Sequence, residues 1–275
     1  MTHNWSLLAV TWVRWPGGDE DVAEPTPAWP LEAVLDAAVD AGFELVGLDH
    51  YTIGGYVRAG GTVEEVAVLL RARGLRCTDV GVLPIGLGDA TAAAGELART
   101  ATITGAPLCI AALSADVARD DAIRELRAAA DVLDGAGVRI AFEFTAYGHP
   151  CSLADAIEVC DAVGWERCGL LVDSWHVFRG GEPLTAVRSL GAEQIALVHV
   201  NDAAPPDGLD PVFEGRFRRA LPGAGTLPLG AFAEALAATG YLGTISVEVL
   251  SSDLRRLPPH IGARQLLQSL RKSFV

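Results

Sequence analysis

An α/β fold, a single (β/α)8 TIM barrel spanning residues 1–275, is the architecture this sequence predicts, and three observations predict it. Eight short runs rich in Val, Ile and Leu recur along the chain, each followed by a segment of helical spacing. The runs are continuously apolar, as parallel strands are when both faces are covered. Eight such units in 275 residues match the length of a closed barrel, with an open doubly wound sheet as the rival.

The units follow in order. Ser6 to Trp12 reads as the first strand, and a proline-rich connector from Pro16 to Pro30 is a rim or lid candidate. A helix spans Trp29 to Asp40 and stops before Gly42; strand Phe43 to Asp49 closes on His50 and Tyr51 and leads into a glycine-rich loop. Helix Thr62 to Arg73, strand Arg76 to Val82, helix Asp89 to Thr102 and strand Pro107 to Ala112 complete the first half. In the second half, helix Asp120 to Leu133 precedes strand Val138 to Phe144, and Ser152 caps a helix running to Val163. Strand Cys168 to Asp173, a short helix from Leu184 to Leu190 and strand Ile195 to Val200 come next. Helix Pro228 to Ala238, strand Thr244 to Leu250 and helix Pro259 to Lys272 end the chain, with no linker of domain-boundary character.

Composition narrows the function. A net charge of −14 argues against nucleic acid, whose phosphates demand Lys and Arg, and favours a small-molecule partner. No run approaches the ~20 apolar residues of a membrane helix. The first residues lack the basic start of a signal peptide. Five cysteines, odd in number and without a CxxC pair, fit buried free thiols in a reducing cytoplasm. The only lysine is Lys272, which removes Schiff-base, P-loop and lysine-base chemistry. Gly86-Leu87-Gly88 lacks the third glycine of a dinucleotide fingerprint and reads as a turn, as does Pro222-Gly223-Ala224-Gly225.

The informative residues end strands. Active sites of such barrels lie at the C-terminal mouth. There RIAFEF, LLVDSWH, LVHVND and ISVEVL present Glu143, Asp173, His199 and Glu248. One acid at a strand end is commonly a cap or an ion-pair partner. Four polar groups that each interrupt an apolar strand, where an unpaired charge is costly, form instead a site for one divalent cation with positions open to substrate. Manganese stands first, with magnesium, cobalt and zinc left open.

The segments FEFTAYGHPCSLADAIEVC, LLVDSWH, VHVNDA, RRALPGAG and SVEV resemble the xylose-isomerase-like superfamily of sugar isomerases and epimerases, nearest to its inosose (keto-inositol) isomerases. The likeness covers about 110 residues, from Arg139 to Leu250; the N-terminal half agrees only in barrel rhythm. It implies that Glu143, Asp173, His199 and Glu248 bind the metal. It also implies that His176 and Arg219 hold substrate oxygens, with Arg216 or Arg218 able to replace Arg219 because the loop from Ala203 to Arg218 is long.

The implied chemistry is proton removal beside a ketone to give an enediolate, with Glu143 and Glu248 on nearly opposite sides of the mouth as the catalytic carboxylates. The expected substrate is a polyhydroxy ketone, and homo-oligomerisation is left open. A dehydratase of the same superfamily, acting on an inosose or on 3-dehydroshikimate, is the alternative reaction; a noncatalytic barrel is the reading from another class. His50 is a substrate-contact candidate, His149 a rim candidate, and His3 and His260 have no supporting context. Trp175, with Phe178, is a candidate pocket wall, and Trp12 and Trp15 suggest an aromatic mouth and a substrate less polar than a simple sugar.

Overall fold

Residues 4–18, 21–114, 116–147 and 151–274 are described by the structure, a computed structural model. Eight parallel strands close on themselves: β1 (Asn4–Leu8), β2 (Leu45–Asp49), β3 (Arg76–Ile85), β4 (Leu108–Leu113), β5 (Arg139–Glu143), β6 (Cys168–Asp173), β7 (Ile195–Val200) and β8 (Thr244–Val247). Each pairs with its sequence neighbour, and β8 pairs with β1. The expected barrel is therefore the fold found.

The first half of the chain supplies helices α1 (Leu31–Ala41), α2 (His50–Arg58), α3 (Val63–Ala72), α4 (Ala90–Thr104) and α5 (Arg119–Asp134). The second half supplies α6 (Leu153–Val163), α7 (Ser174–Arg179), α8 (Leu184–Arg188), α9 (Pro211–Phe217), α10 (Leu229–Thr239), α11 (Ser252–Arg256) and α12 (Pro259–Ser273). Their boundaries have local causes. Thr62 with Glu65 and Ser152 with Asp155 form capping boxes at the starts of α3 and α6. Gly42, at φ 98°, takes the left-handed conformation that ends α1.

Period-two alternation divides each strand between two cores. Ile140, Phe142, Leu170, Val172, Val198 and Val200 belong to the large cluster shared with the helices. Ile110, Ala141, Leu171 and Leu197 form a smaller cluster, the filling of the barrel itself. Burying each Leu or Ile contributes about 1.5–3 kcal/mol, so these two layers hold the strands in place. The same alternation puts Glu143, Asp173 and His199 on the inner face, two residues beyond Ala141, Leu171 and Leu197.

Four local readings change. The first strand stops at Leu8, and Ala9–Trp12 is a 3-10 turn that buries Trp12 against Gly262 of α12. The glycine-rich stretch after Tyr51 is helix α2, because Asp49 accepts from both the N–H (2.8 Å) and the hydroxyl (2.7 Å) of Thr52 and starts it. The eighth strand ends at Val247, and Glu248 lies just beyond it. Within the long 203–218 loop, Asp210 caps α9. The proline-rich connector contributes Thr26–Pro27, which pairs antiparallel with Val13–Arg14. His3 and His149 lie outside the described residues.

Candidate metal centre and active site

Glu143, Asp173, His199 and Glu248 come together although 105 residues separate the first from the last. Their strands, β5 to β8, are consecutive in the barrel. A register shift at Leu170/Leu171 sets Asp173 level with His199, and His199 is level with Ser246, two residues before Glu248. One ligand atom from each of the four lies within 4.8 Å of the others. His199 Nδ1 is 3.7 Å from Glu248, 3.9 Å from Asp173 and 4.0 Å from Glu143. Both ring nitrogens of His199 are buried and make no hydrogen bond among the described residues. A buried imidazole nitrogen without a hydrogen bond is costly, and a cation held between Nδ1 and the three carboxylates would satisfy it. Three carboxylates and one imidazole also suit manganese, magnesium, cobalt or zinc, so the donor set fits one divalent ion.

Asp173 is the most constrained of the four. It is fully buried, and its carboxylate accepts from the Trp175 N–H (2.6 Å), from Asn201 Nδ2 (3.1 Å to each oxygen) and from Arg219 (2.8 Å). It thereby caps α7 while facing the site. Burial raises its pKa, but Arg219, His176, His199 and the Asn201 hydrogen bond together outweigh burial and hold it below the usual carboxylate range. Arg219 also donates to Glu248 at 2.8 Å and through Nε to the Gly215 carbonyl at 2.9 Å, and its guanidinium lies 5.5 Å from the centre of the Trp175 ring. Of the three candidate arginines it is the one at the carboxylates. Arg216 lies at the mouth, 5.3 Å over Trp15, and Arg218 is exposed.

Arg219 is held there by Asp202. Asp202 accepts from the N–H groups of Ala203 (2.8 Å), Gly223 (2.9 Å), Gly225 (3.0 Å) and Leu227 (2.9 Å). Asp202–Ala203 pairs antiparallel with Arg219–Ala220. The Pro222 to Gly225 turn is thus folded around a carboxylate of the chain itself.

Glu143 differs from Asp173. Burial, then the neighbouring Glu248 carboxylate, pushes its pKa up to about 8, whereas Glu248 is lowered because Arg219 and His199 outweigh its burial. Glu143 thus holds a proton to higher pH than its partner. His176 Nδ1 accepts the Ala146 N–H at 3.0 Å, which leaves the hydrogen on Nε2, 3.8 Å from Glu143 Oε1. Burial pushes His176 down to about 4, so it is neutral at pH 7.

A cavity of about 790 Å³ opens beside these groups. Glu143, Glu248 and Arg219 line it, as do His50, Tyr51, Trp15 and Tyr147. His50 Nδ1 accepts the Val82 N–H at 3.0 Å. Trp175 is fully buried behind this wall, edge-on to Tyr147 at 5.5 Å, and His176 is buried behind Glu143. Phe178 packs on Phe232 at 6.1 Å. Of the two tryptophans near strand one, Trp15 faces the cavity and Trp12 does not.

Sequence reasoning assigned nothing to Asn201, Asp202, Tyr147 or Asp79. Asn201 and Asp202 carried a signal, a polar pair closing an apolar strand directly after Val200. Asp79, alone in CTDVGV, lies inside the barrel against Gly47, where any Cβ would come within 2.6 Å of its oxygens. It accepts from the Thr78 hydroxyl at 2.7 Å, and burial pushes its pKa up to about 6.

Known proteins share sequence or fold with this chain. Inosose isomerase of Bacillus subtilis is 29% identical over 160 residues, 56% of this chain and 53% of its own length. The 3-dehydroshikimate dehydratase of Pseudomonas putida is 29% identical over 136 residues, 49% of this chain and 21% of its own length. The chain therefore spans about half, or less, of these curated relatives. Among solved structures, the IOLI protein crystallised with a binding zinc atom superposes with a TM-score of 0.83 at 15% identity, covering 98% of each chain. L-ribulose 3-epimerase superposes with a TM-score of 0.73 at 17% identity, covering 99% of this chain and 95% of its own. The xylose isomerase-like TIM barrel family model matches residues 35–273, and the chain belongs to that family.

Proposed function

We propose that this protein is a divalent-metal-dependent isomerase or epimerase of a keto-sugar or keto-cyclitol. The observation that carries the reading is the convergence of Glu143, Asp173, His199 and Glu248 within 4.8 Å at one end of a barrel. Inosose isomerases among the relatives and ketose epimerases among the structural neighbours support it. When bound, the cation supplies a Lewis acid that polarises a substrate ketone and acidifies the neighbouring C–H.

The chain's own groups move and hold the proton. Glu143 and Glu248 project from strands three apart in the eight-stranded barrel, so they flank the substrate. One carboxylate takes the proton from the carbon beside the ketone and the other returns a proton to the opposite face. Arg219 places positive charge beside the oxygen that gains electron density. Tyr147 and His50 contribute polar groups at the cavity wall, Trp175 backs Arg219 and Tyr147, and His176 Nε2 lies 3.8 Å from Glu143.

The test is solvent exchange. Metal-loaded protein incubated in D₂O with 2-keto-myo-inositol and with ketohexoses is expected to place deuterium on the carbon next to the ketone. Bound metal with no exchange in any candidate ketone overturns the reading.

A second reaction on the same residues is favoured by the dehydratase relatives. Proton removal is then followed by expulsion of a β-hydroxyl, with the departing oxygen protonated by the second carboxylate. A product lighter by one water, with new ultraviolet absorbance, identifies it.

A further inference from the structure

The cavity is larger and less polar than a free sugar needs. An inosose or ketohexose has twelve non-hydrogen atoms. Even at the ~30 Å³ that a whole water molecule occupies in the liquid, twelve atoms fill about 360 Å³. The cavity holds about 790 Å³.

The residues that line it divide by chemistry. The carboxylates and Arg219 occupy β5 to β8 and the segments after them. Across the barrel, the wall is Val82 and Pro84 of β3, Leu87 of the turn after it, Leu97 of α4 and Leu113 of β4. Leu87 is 56% exposed, an apolar side chain left at the edge of a pocket. The polar groups on this side, His50, Glu96, Thr100 and Ser114, include no arginine or lysine. Among the described residues, the arginines lining the cavity are Arg219, occupied by Asp173 and Glu248, and Arg216, over the Trp15 ring. Among the described residues, a phosphate group on the far side would meet no arginine or lysine and one carboxylate, Glu96.

We infer that the substrate is a two-part molecule. Its head is an α-hydroxyketone polyol seated at Glu143, Glu248 and Arg219. Its other part is an uncharged apolar substituent, about the size of a benzene ring or larger, seated against Val82, Pro84, Leu87, Leu97 and Leu113. The head rests on the proposed isomerase reading; the apolar subsite rests on the cavity wall. Ring burial against aliphatic side chains supplies affinity that a polyol, already well hydrated, does not.

The experiment compares three ligands on the metal-loaded protein: fructose, 6-O-benzylfructose and fructose 6-phosphate. Calorimetry is expected to show the benzyl ether binding at least tenfold tighter than fructose and the phosphate binding no tighter than fructose. Leu87→Asp, at an exposed position that leaves the core untouched, and Leu113→Gln are expected to erase most of that preference while affinity for fructose stays within twofold. Equal affinity for fructose and its benzyl ether, or tightest binding of the phosphate, overturns the proposal.

Benzyl β-glucopyranoside, which has no ketone, separates the two readings. Contacts in the NMR spectrum from its ring protons to the methyls of Val82, Leu87, Leu97 and Leu113 support the subsite even if no ketone exchanges deuterium, an outcome that sinks only the isomerase reading. Deuterium exchange without those contacts sinks the subsite and leaves the isomerase reading standing.

Discussion

Three carboxylates share one buried corner, and Arg219 is the guanidinium that touches two of them. Replacing it by Met leaves Asp173 and Glu248 facing each other with a lost counter-charge, a change that costs about 3–5 kcal/mol at buried pairs. Urea unfolding of metal-free Arg219→Met should show a loss of that order, partly recovered when manganese is added. Glu143→Gln and Glu248→Gln act differently, since each removes a proton carrier and keeps the shape. Deuterium exchange should fall by ~10²–10⁴-fold, and the gain in melting temperature on adding manganese should shrink as well, because each carboxylate is also one of the four donors. Wild-type exchange in both variants would remove the carboxylates from the mechanism.

Asp79 makes a pH prediction. Burial raises its folded pKa from the ordinary 3.8 to about 6, so between these values the folded chain holds a proton that the unfolded chain has lost. Its contribution to stability is therefore greatest at low pH and declines as pH rises through that window. The decline is of order 3 kcal/mol, at ~1.36 kcal/mol per tenfold change in proton affinity. Asp79→Asn keeps an acceptor for Thr78 and has no charge to bury. Its unfolding free energy should vary less between pH 4 and 7 and exceed wild type at pH 7; an unchanged pH slope would show that Asp79 is already relieved by another group.

At the scale of elements, the Asp202 ribbon decides where the arginine goes. Asp202→Ala strands four backbone N–H groups, two of them on the glycines of the Pro222 to Gly225 turn. Each stranded group costs about 1–3 kcal/mol unless water reaches it. The variant should lose at least ~3 kcal/mol by chemical denaturation, and its exchange rate should fall because Arg219 no longer sits on Glu248. Gly225→Ala should act in the same direction, because its Cβ would come within 2.2 Å of the Ala203 carbonyl oxygen. Likewise Gly215 of α9 leaves room for the Tyr147 ring, 2.6 Å from where a Cβ would stand. Retained stability in both Asp202→Ala and Gly225→Ala would mean that the turn is set by its own backbone and not by the carboxylate.

For the whole molecule, four donors on four strands make a bound cation a cross-link of half the barrel. A ligand that binds only the folded chain, present at 100 times its dissociation constant, adds about 2.7 kcal/mol. In a chain of this size that corresponds to roughly 5–10 °C in melting temperature. Saturating manganese should raise the melting temperature by that amount, a chelator should reverse the rise, and His199→Ala should abolish it. Equal melting temperatures with metal and with chelator would leave the four residues as a structural cluster. The net charge of −14 acts at the same scale, favouring uptake of cations and opposing polyanions. Among the described residues no helix is long and apolar enough to cross a membrane.

The barrel was legible because its determinants are local. A parallel strand buried on both faces is a continuous apolar run, and β6 and β7 have the limits read from their side chains alone. The strand-end acids were legible for the same reason, since an acid that interrupts such a run is visible without knowing its partner. Other features depend on partners distant in the chain. Arg219 meets Asp173 across 46 residues, and Asn201 meets Asp173 across 28. Two tryptophans of like context, Trp12 and Trp15, part ways because Gly262 of α12 leaves space for one of them. The stretch after Tyr51 is helical because the Asp49 cap and packing on the barrel outweigh two glycines of poor helix propensity. A shift at Leu170/Leu171 aligns Asp173 with His199, and strand register is a property of pairs: a one-residue slip turns every side chain to the other face. The sequence alone thus carries the fold and the four strand-end donors, whose signals lie in single strands. Tertiary contact alone selects the arginine, the cavity wall and the level at which the donors meet, because each of these is an interaction between elements.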